Sequence, residues 1–431
     1  MLRERLLRFV LKVSYYNSLA VGLLPAPLDK KTYKFQSTRV YLAHSAFSHV
    51  FYIVASACAS LYYFHFGSMK FHLVLQWTSS IANVTKNLFI IVLIKEIWCK
   101  RRCVMEAFAD YFELEARHEA FLCEHQYKVT EENGTEYVIQ SENGSTRNVS
   151  SDCESAQENE INIKYLKRYI ANLIICKLFL GYGLLLLNAY IFISHNPGSD
   201  PWYPPITFIS YVLNTFGLTV SGHFFYVFCQ LYRQFAQINS QLHSLLEQLH
   251  QHQRPNDVVA TVFARRINSL ATLHLDGYRL AQRIFTIGEL TLAALLLRLF
   301  AVNMRTVYSV CLFLGQKSIW SLWPLVNELL YTFAAFVNTI MVMGILDAAL
   351  EKCNHTGQVL RAYVDLVEMH DAECLRKALD SFAAHLSTHK LRYKVCGLFE
   401  FNKGSSLHFF MMVLVKVTVL VQFDMQNKLK A

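Results

Sequence analysis

The sequence predicts an all-α integral membrane protein: seven transmembrane helices, N-terminus cytoplasmic and C-terminus extracellular, with a cytoplasmic helical anchor region. Three observations carry this reading. Of 431 residues only 17% are charged and 53% are hydrophobic, whereas soluble domains carry about 25% charged residues. Seven apolar runs are each long enough to cross a bilayer core, which takes roughly 20 helical residues. Lysine and arginine then gather in alternate connecting segments, the pattern that sets orientation in a membrane.

The first forty residues hold eight bases: Arg3, Arg5, Arg8, Lys12, Lys30, Lys31, Lys34 and Arg39. The opening stretch MLRERLLRFVLKVSYYNSLAVGLLP has the basic start of a signal peptide. Lys12, Tyr15 and Tyr16 interrupt its apolar middle, and no small-residue cleavage site follows. It reads as an amphipathic or re-entrant helix ahead of the first span. The spans are expected at about 41–65, 72–98, 166–194, 207–232, 285–312, 322–349 and 405–424. The second holds Asn83 and Lys86, and the fifth holds Arg298 and Arg305.

Between spans four and five lie six arginines, and between spans six and seven eight bases, while the short loops 66–71, 195–206 and 313–321 supply only Lys70 and Lys317. The basic side is therefore expected to be cytoplasmic. The chain divides into a cytoplasmic N-terminal segment (1–40), spans one to six (41–349), cytoplasmic anchor helices (350–404), a seventh helix (405–424) and an extracellular tail (425–431).

Ile238, Leu242, Leu245, Leu246 and Leu249 repeat at helical spacing, as do Leu375, Leu379, Phe382 and Leu386. Such stripes need a cover, from each other beneath the membrane or from a neighbouring subunit. Residues 129–161 are acidic, polar and poor in large apolar groups, and are expected to form a flexible cytoplasmic loop. Its sequons at Asn133, Asn143 and Asn148 would then stay bare. Eleven cysteines without a CxxC pair argue against a disulfide framework. Cys99, Cys103, Cys123 and His118 lack a zinc spacing. No metal or other cofactor is expected. The dispersed net charge of +9 does not form a nucleic-acid stripe. HExxH, GxSxG and Walker sequences are absent, so an enzyme is not expected.

The segment GLFEFN (Gly397 to Asn402), an apolar helix and then VTVLVQF (Val417 to Phe423) together resemble the C-terminal signature of the insect gustatory receptors. That signature is a Thr-Tyr pair, five apolar residues and Gln-Phe. This chain keeps Val417 to Val421 and Gln422-Phe423, with Val415-Lys416 in place of Thr-Tyr. GLLPAPLD (Gly22 to Asp29) is similar to the family's early Gly-Leu-x-Pro element.

The resemblance implies a ligand-gated cation channel, a tetramer around a central pore lined by the seventh helix, with subunits meeting through the cytoplasmic anchor. It implies a small-molecule tastant, homo- or heterotetrameric assembly with other gustatory receptors, and a multi-pass place in the plasma membrane of chemosensory neurons. A bitter or aversive compound is expected over a sugar.

By alignment to the Gln-Phe pair, Val419 falls at the family's narrowing position. Phe423 then lies about 40° to one side and Gln422 about 60° to the other, so all three can border one lumen. An apolar ring excludes water, and the Gln422 amide can replace part of an ion's hydration shell. The other reading of these residues is plain interhelix packing. Lys416 lies one turn deeper. It can snorkel, pair with a carboxylate, or face the vestibule and oppose cations.

Polar residues in the outer halves of spans three to six are the candidate ligand contacts: Asn188, Tyr190, Tyr211, Asn214, Asn303, Tyr308, Asn327, Glu328 and Tyr331. Glu328 suits a cationic ligand or an ion pair with Arg305; the others also suit hydrogen bonds between helices. Two further readings stay open. A non-sensing partner subunit is one. The other is a secondary transporter using Lys86, Arg298, Glu328 and Lys416, against which stands the lack of an internal repeat.

Overall fold

The computed structural model describes residues 2–24, 27, 38–67, 73–124, 128–132, 136–140, 152–194, 203–251, 257–315, 322–362, 373–397, 399–401 and 403–430. In chain order the helices are α1 (Leu2–Ala20), α2 (Arg39–Gly67), α3 (Leu73–Cys99), α4 (Arg101–Glu124), α5 (Asp152–Ser194), α6 (Tyr203–Gln251), α7 (Asp257–Gly315), α8 (Leu322–Arg361), α9 (Glu373–Thr388) and α10 (Lys403–Lys430). Strands β1 (Lys128–Glu132) and β2 (Glu136–Gln140) pair between α4 and α5; β3 (Lys394–Val395) and β4 (Phe399–Glu400) pair before α10. Seven of the helices are long and apolar enough to cross a membrane: α2, α3, α5, α6, α7, α8 and α10.

Each expected span matches one of these seven to within a residue of its bounds or lies inside it, but α5 to α8 run far past the apolar windows. At 59 residues, α7 is about 88 Å long, against a bilayer core of about 30 Å. Its apolar part is 285–312. The part from Asp257 to Ile284 carries Arg265, Arg266, Asp276, Arg279 and Arg283 and lies outside that window. The chain is continuous helix here because no proline or capping break interrupts it. An amphipathic stretch then simply extends a transmembrane one.

These extensions share a second core. Ile238, Leu242, Leu245, Leu246 and Leu249 of α6 meet Leu375, Leu379 and Phe382 of α9, together with Phe263, Ile267 and Leu270 of α7 and Leu114 and Phe121 of α4. The two stripes evident in the sequence thus fall in one shared core, in which α9 packs chiefly on α7 and α8. The strap α4 is pinned from outside this core: Arg117 Nη1 donates to Asp276 Oδ2 at 2.7 Å, Arg283 pairs with Glu106 and Asp110, and Arg233 with Glu115.

Part of the acidic 129–161 stretch is regular. Val129 faces Ile139 and Thr130 faces Val138 across the β1–β2 pair, as the strand preference of β-branched residues favours. The helix α5 begins as early as Asp152. The three sequons lie outside the described residues. The opening helix α1 packs on α5 and α6, with Asn17 Nδ2 donating to Thr219 Oγ1 at 3.0 Å and Ser18 Oγ 2.6 Å from His223 Nε2.

Candidate functional site

The seventh spanning helix, α10, is held on one side only. Val413 and Val417 are 0% and 4% exposed against Val74 of α3 and Met304 and Tyr308 of α7. Phe409 packs edge-on against Phe300 of α7, and Phe410 lies beside Phe336 of α8. Opposite this seam the helix is open: Val415, Val419 and Phe423 are each 53% exposed, and Lys416 and Gln422 are exposed too.

Helical geometry makes this one face. With Val419 at the centre, Val415 and Phe423 lie about 40° to either side, and Gln422 and Lys416 about 60°. The anchored residues Val413, Val417 and Asp424 lie on the far side. Asp424 is 4% exposed beside Tyr308 of α7. It therefore turns away from the open face. Lys416 forms no ion pair among the described residues.

The path into α10 is set by the GLFEFN segment. Cys396 and Gly397 adopt φ of 49° and 70°, a left-handed pair that glycine enters without Cβ strain. They turn β3 back into β4, and the Phe401 amide donates to the Tyr393 carbonyl at 2.7 Å. Val395, Phe401 and Tyr393 bury themselves in the main core, with Tyr393 against Phe285 of α7 at 4.8 Å between ring centres. The motif is thus a folded clip that starts α10 at a fixed point on α7.

The candidate ligand residues are not gathered in one place among the described side chains. Asn214 Oδ1 accepts from Arg298 Nη2 at 3.3 Å. Asn303 Nδ2 donates to Thr339 Oγ1 at 3.1 Å, tying α7 to α8. Tyr308 is fully buried toward α10, and Tyr190 is exposed. The side chains of Asn188, Tyr211, Asn327, Glu328 and Tyr331 lie outside the described set, and with them the Glu328–Arg305 pairing. A cleft of about 1030 Å³ does exist, lined by Glu351, Arg361, Asp380, Arg392, Glu400 and Gly404 among others. It lies between α8, α9 and the start of α10, away from the outer halves.

Sequence reasoning passed over Lys177, although a lysine inside LIICKLFLG is a visible signal. It is 3% exposed, donates to Ser221 Oγ at 3.1 Å, to the Asn338 carbonyl at 3.3 Å and to Asn338 Oδ1, and lies over the Phe225 ring. Three acceptors from two helices satisfy all three ammonium protons. Arg298, which did stand out, is 8% exposed with its guanidinium over Phe89 and against Gly217. A Cβ at Gly217 would stand 1.5 Å from Arg298 Nη1, so only glycine leaves that seat open.

A family profile described as "7tm Chemosensory receptor" matches residues 153–427. Two Drosophila melanogaster proteins, "Putative gustatory receptor 58a" and "Putative gustatory receptor 58b", are 25% and 24% identical to this chain. The alignments cover 98% and 97% of it, and 99% and 93% of those proteins. Among solved structures, the insect olfactory receptor OR5 from Machilis hrabei in complex with eugenol is similar at a TM-score of 0.60, over 98% of this chain and 99% of that one. At 12% identity this likeness is one of fold.

Proposed function

The chain belongs to the 7tm chemosensory receptor family, and on that premise we propose that it is a gustatory-receptor subunit: a cation channel opened by a small organic tastant. The open face of α10 carries this reading. A lipid-facing helix has no use for an exposed lysine and carboxamide one turn on either side of a valine. Four copies turned toward a shared axis would put Val419 and Phe423 in a dewetting ring, Gln422 beside it and Lys416 in the vestibule below. Valines 413 and 417 would stay clamped to α3 and α7.

Ligand binding is assigned to the outer halves of α5 to α8, where Asn188, Tyr190, Tyr211, Asn214, Asn303, Tyr308, Asn327, Glu328 and Tyr331 supply polar anchors among apolar walls. The N-terminus is cytoplasmic in this reading, and the second core formed by α4, α6, α7 and α9 lies inside the cell.

Cysteine substitution tests the pore assignment. In a full-length chain carrying Val419→Cys or Gln422→Cys, a charged, membrane-impermeant thiosulfonate should cut the current at least fivefold. The same reagent should leave Val413→Cys and Val417→Cys unaffected. Equal sensitivity on both faces, or insensitivity at 419 and 422 in a conducting channel, removes α10 from the conduction path.

A further inference from the structure

One rung of the α7 helix is occupied by side chains from another helix. Glu96, near the end of α3, and Lys100, in the turn that follows, form an ion pair at 2.7 Å. Lys100 Nζ also donates to the carbonyls of Thr286 and Ile287, each at 2.9 Å. Glu96 Oε2 accepts from the backbone amide of Thr291 at 3.0 Å and from its hydroxyl. In α7, continuous through this turn, the Thr291 amide also points at the Ile287 carbonyl. Each of these two groups therefore carries a further partner from the pair. The Glu96 side chain is 7% exposed and that of Lys100 33%, so the Glu96–Thr291 end sits in low dielectric where such bonds are strong, and the Lys100 end reaches toward solvent.

This rung stands at a crossroads. It lies where the charged stem of α7 meets the apolar part that supports α10. Gly288, inside the same turn, lets α6 approach so closely that a Cβ there would stand 2.9 Å from the Phe224 ring. The clip leading to α10 lies alongside, with Phe285 against Tyr393. Side chains that enter the i→i−4 ladder are one of the few causes of a localised bend in a helix. The Ile287 carbonyl and the Thr291 amide thus each have two partners within reach, one another or the Glu96–Lys100 pair, a choice on which a hinge can turn.

We propose that Glu96 and Lys100 are positioning residues for gating: they hold α7 at a hinge between its stem and the half that carries α10, so that movement of α3 is delivered to the pore helix. The hinge is a property of this chain's geometry; its effect on current rests on the channel reading above. Among the described residues the gate residues share no hydrogen bond or ion pair with either side chain, so any effect on conduction passes through α7 and the clip.

The test uses the full-length protein in two assays. Hydrogen exchange of chains in lipid nanodiscs should show residues 286–292 exchanging at least tenfold faster in Glu96→Gln and Lys100→Met than in the parent, with 262–275 of the stem unchanged and Lys100→Arg close to the parent. In cells at matched surface density, Glu96→Gln and Lys100→Met should change the ligand-independent current at least threefold, and Lys100→Arg should restore it. Unchanged exchange overturns the hinge. Altered exchange with unaltered current leaves a merely structural pin and overturns the gating role. A parent chain silent in every assembly counts against the channel reading, and the exchange result alone then decides the hinge.

Discussion

At the scale of single residues, the membrane interior of this protein shows how buried charge is tolerated. Lys177 is satisfied by Ser221 and Asn338, and Arg298 is lodged against an aromatic face, Asn214 and a glycine seat. Lys416 has no such accommodation among the described residues and lies on the open face. In the proposed tetramer four ammonium groups about 8 Å from a passing cation would each oppose it by roughly 0.5 kcal/mol in a water-filled vestibule. Salt shortens their reach to a Debye length of about 8 Å, which still leaves a several-fold penalty. Lys416→Tyr should therefore raise cation current roughly two- to tenfold in cells expressing this chain alone. Whole-cell recording at measured surface density reads this directly, and no change at normal expression removes Lys416 from the ion path.

At the scale of elements, the sequence showed where lipid is crossed better than where helices end. Hydropathy located all seven spans because an apolar run of 20 residues has few other uses. It did not show that α5 to α8 continue well beyond them. Past the bilayer their apolar residues thin to stripes that share one core with residues far apart in sequence, such as Leu242 of α6 and Phe382 of α9. The open face of α10 was legible through helical periodicity and the Gln-Phe pair. The Glu96–Lys100 rung was not, since nothing local in α3 or α7 reports that they meet. The docking of α9 carries its own prediction. His274 of α7 is fully buried, with its ring near His385 at 5.8 Å and Nε2 3.3 Å from the Cys353 carbonyl. His389, Tyr278 and Arg279 complete the surroundings. Burial first, then the neighbouring His385 and His389, lowers the His274 pKa from 6.5 to about 4. The unfolded chain therefore binds more protons between those values, so stability is full above pH 6.5 and falls as pH drops toward 4. The gap is worth roughly 3 kcal/mol at most. Thermal unfolding of the purified protein should show a Tm that declines below pH 6.5, and His274→Phe should flatten that decline. An identical decline in the variant assigns it to other groups.

At the scale of the whole molecule, orientation decides what every region can do. The same end of the bundle carries the helical extensions of α5 to α8, the arginine-pinned strap α4 and most of the basic residues. If that end is cytoplasmic, the second core can hold subunits together away from the lipid, and α10 need only reach the outer mouth of the pore. If it is external, the pore helix would begin outside, and Lys416 would guard the outer mouth. The two cases differ in where solvent-borne reagents reach the chain. In intact insect cells, Ala431→Cys should react with an impermeant maleimide, above the label taken up by the parent's own cysteines. Thr146→Cys, which leaves all three sequons intact, should react only after permeabilisation. Asn133, Asn143 and Asn148 should carry no sugar, so that glycosidase leaves the mobility of the surface-expressed chain unchanged. Sugar on any one of the three inverts the molecule, because all three lie in the segment between α4 and α5 and share one side of the membrane.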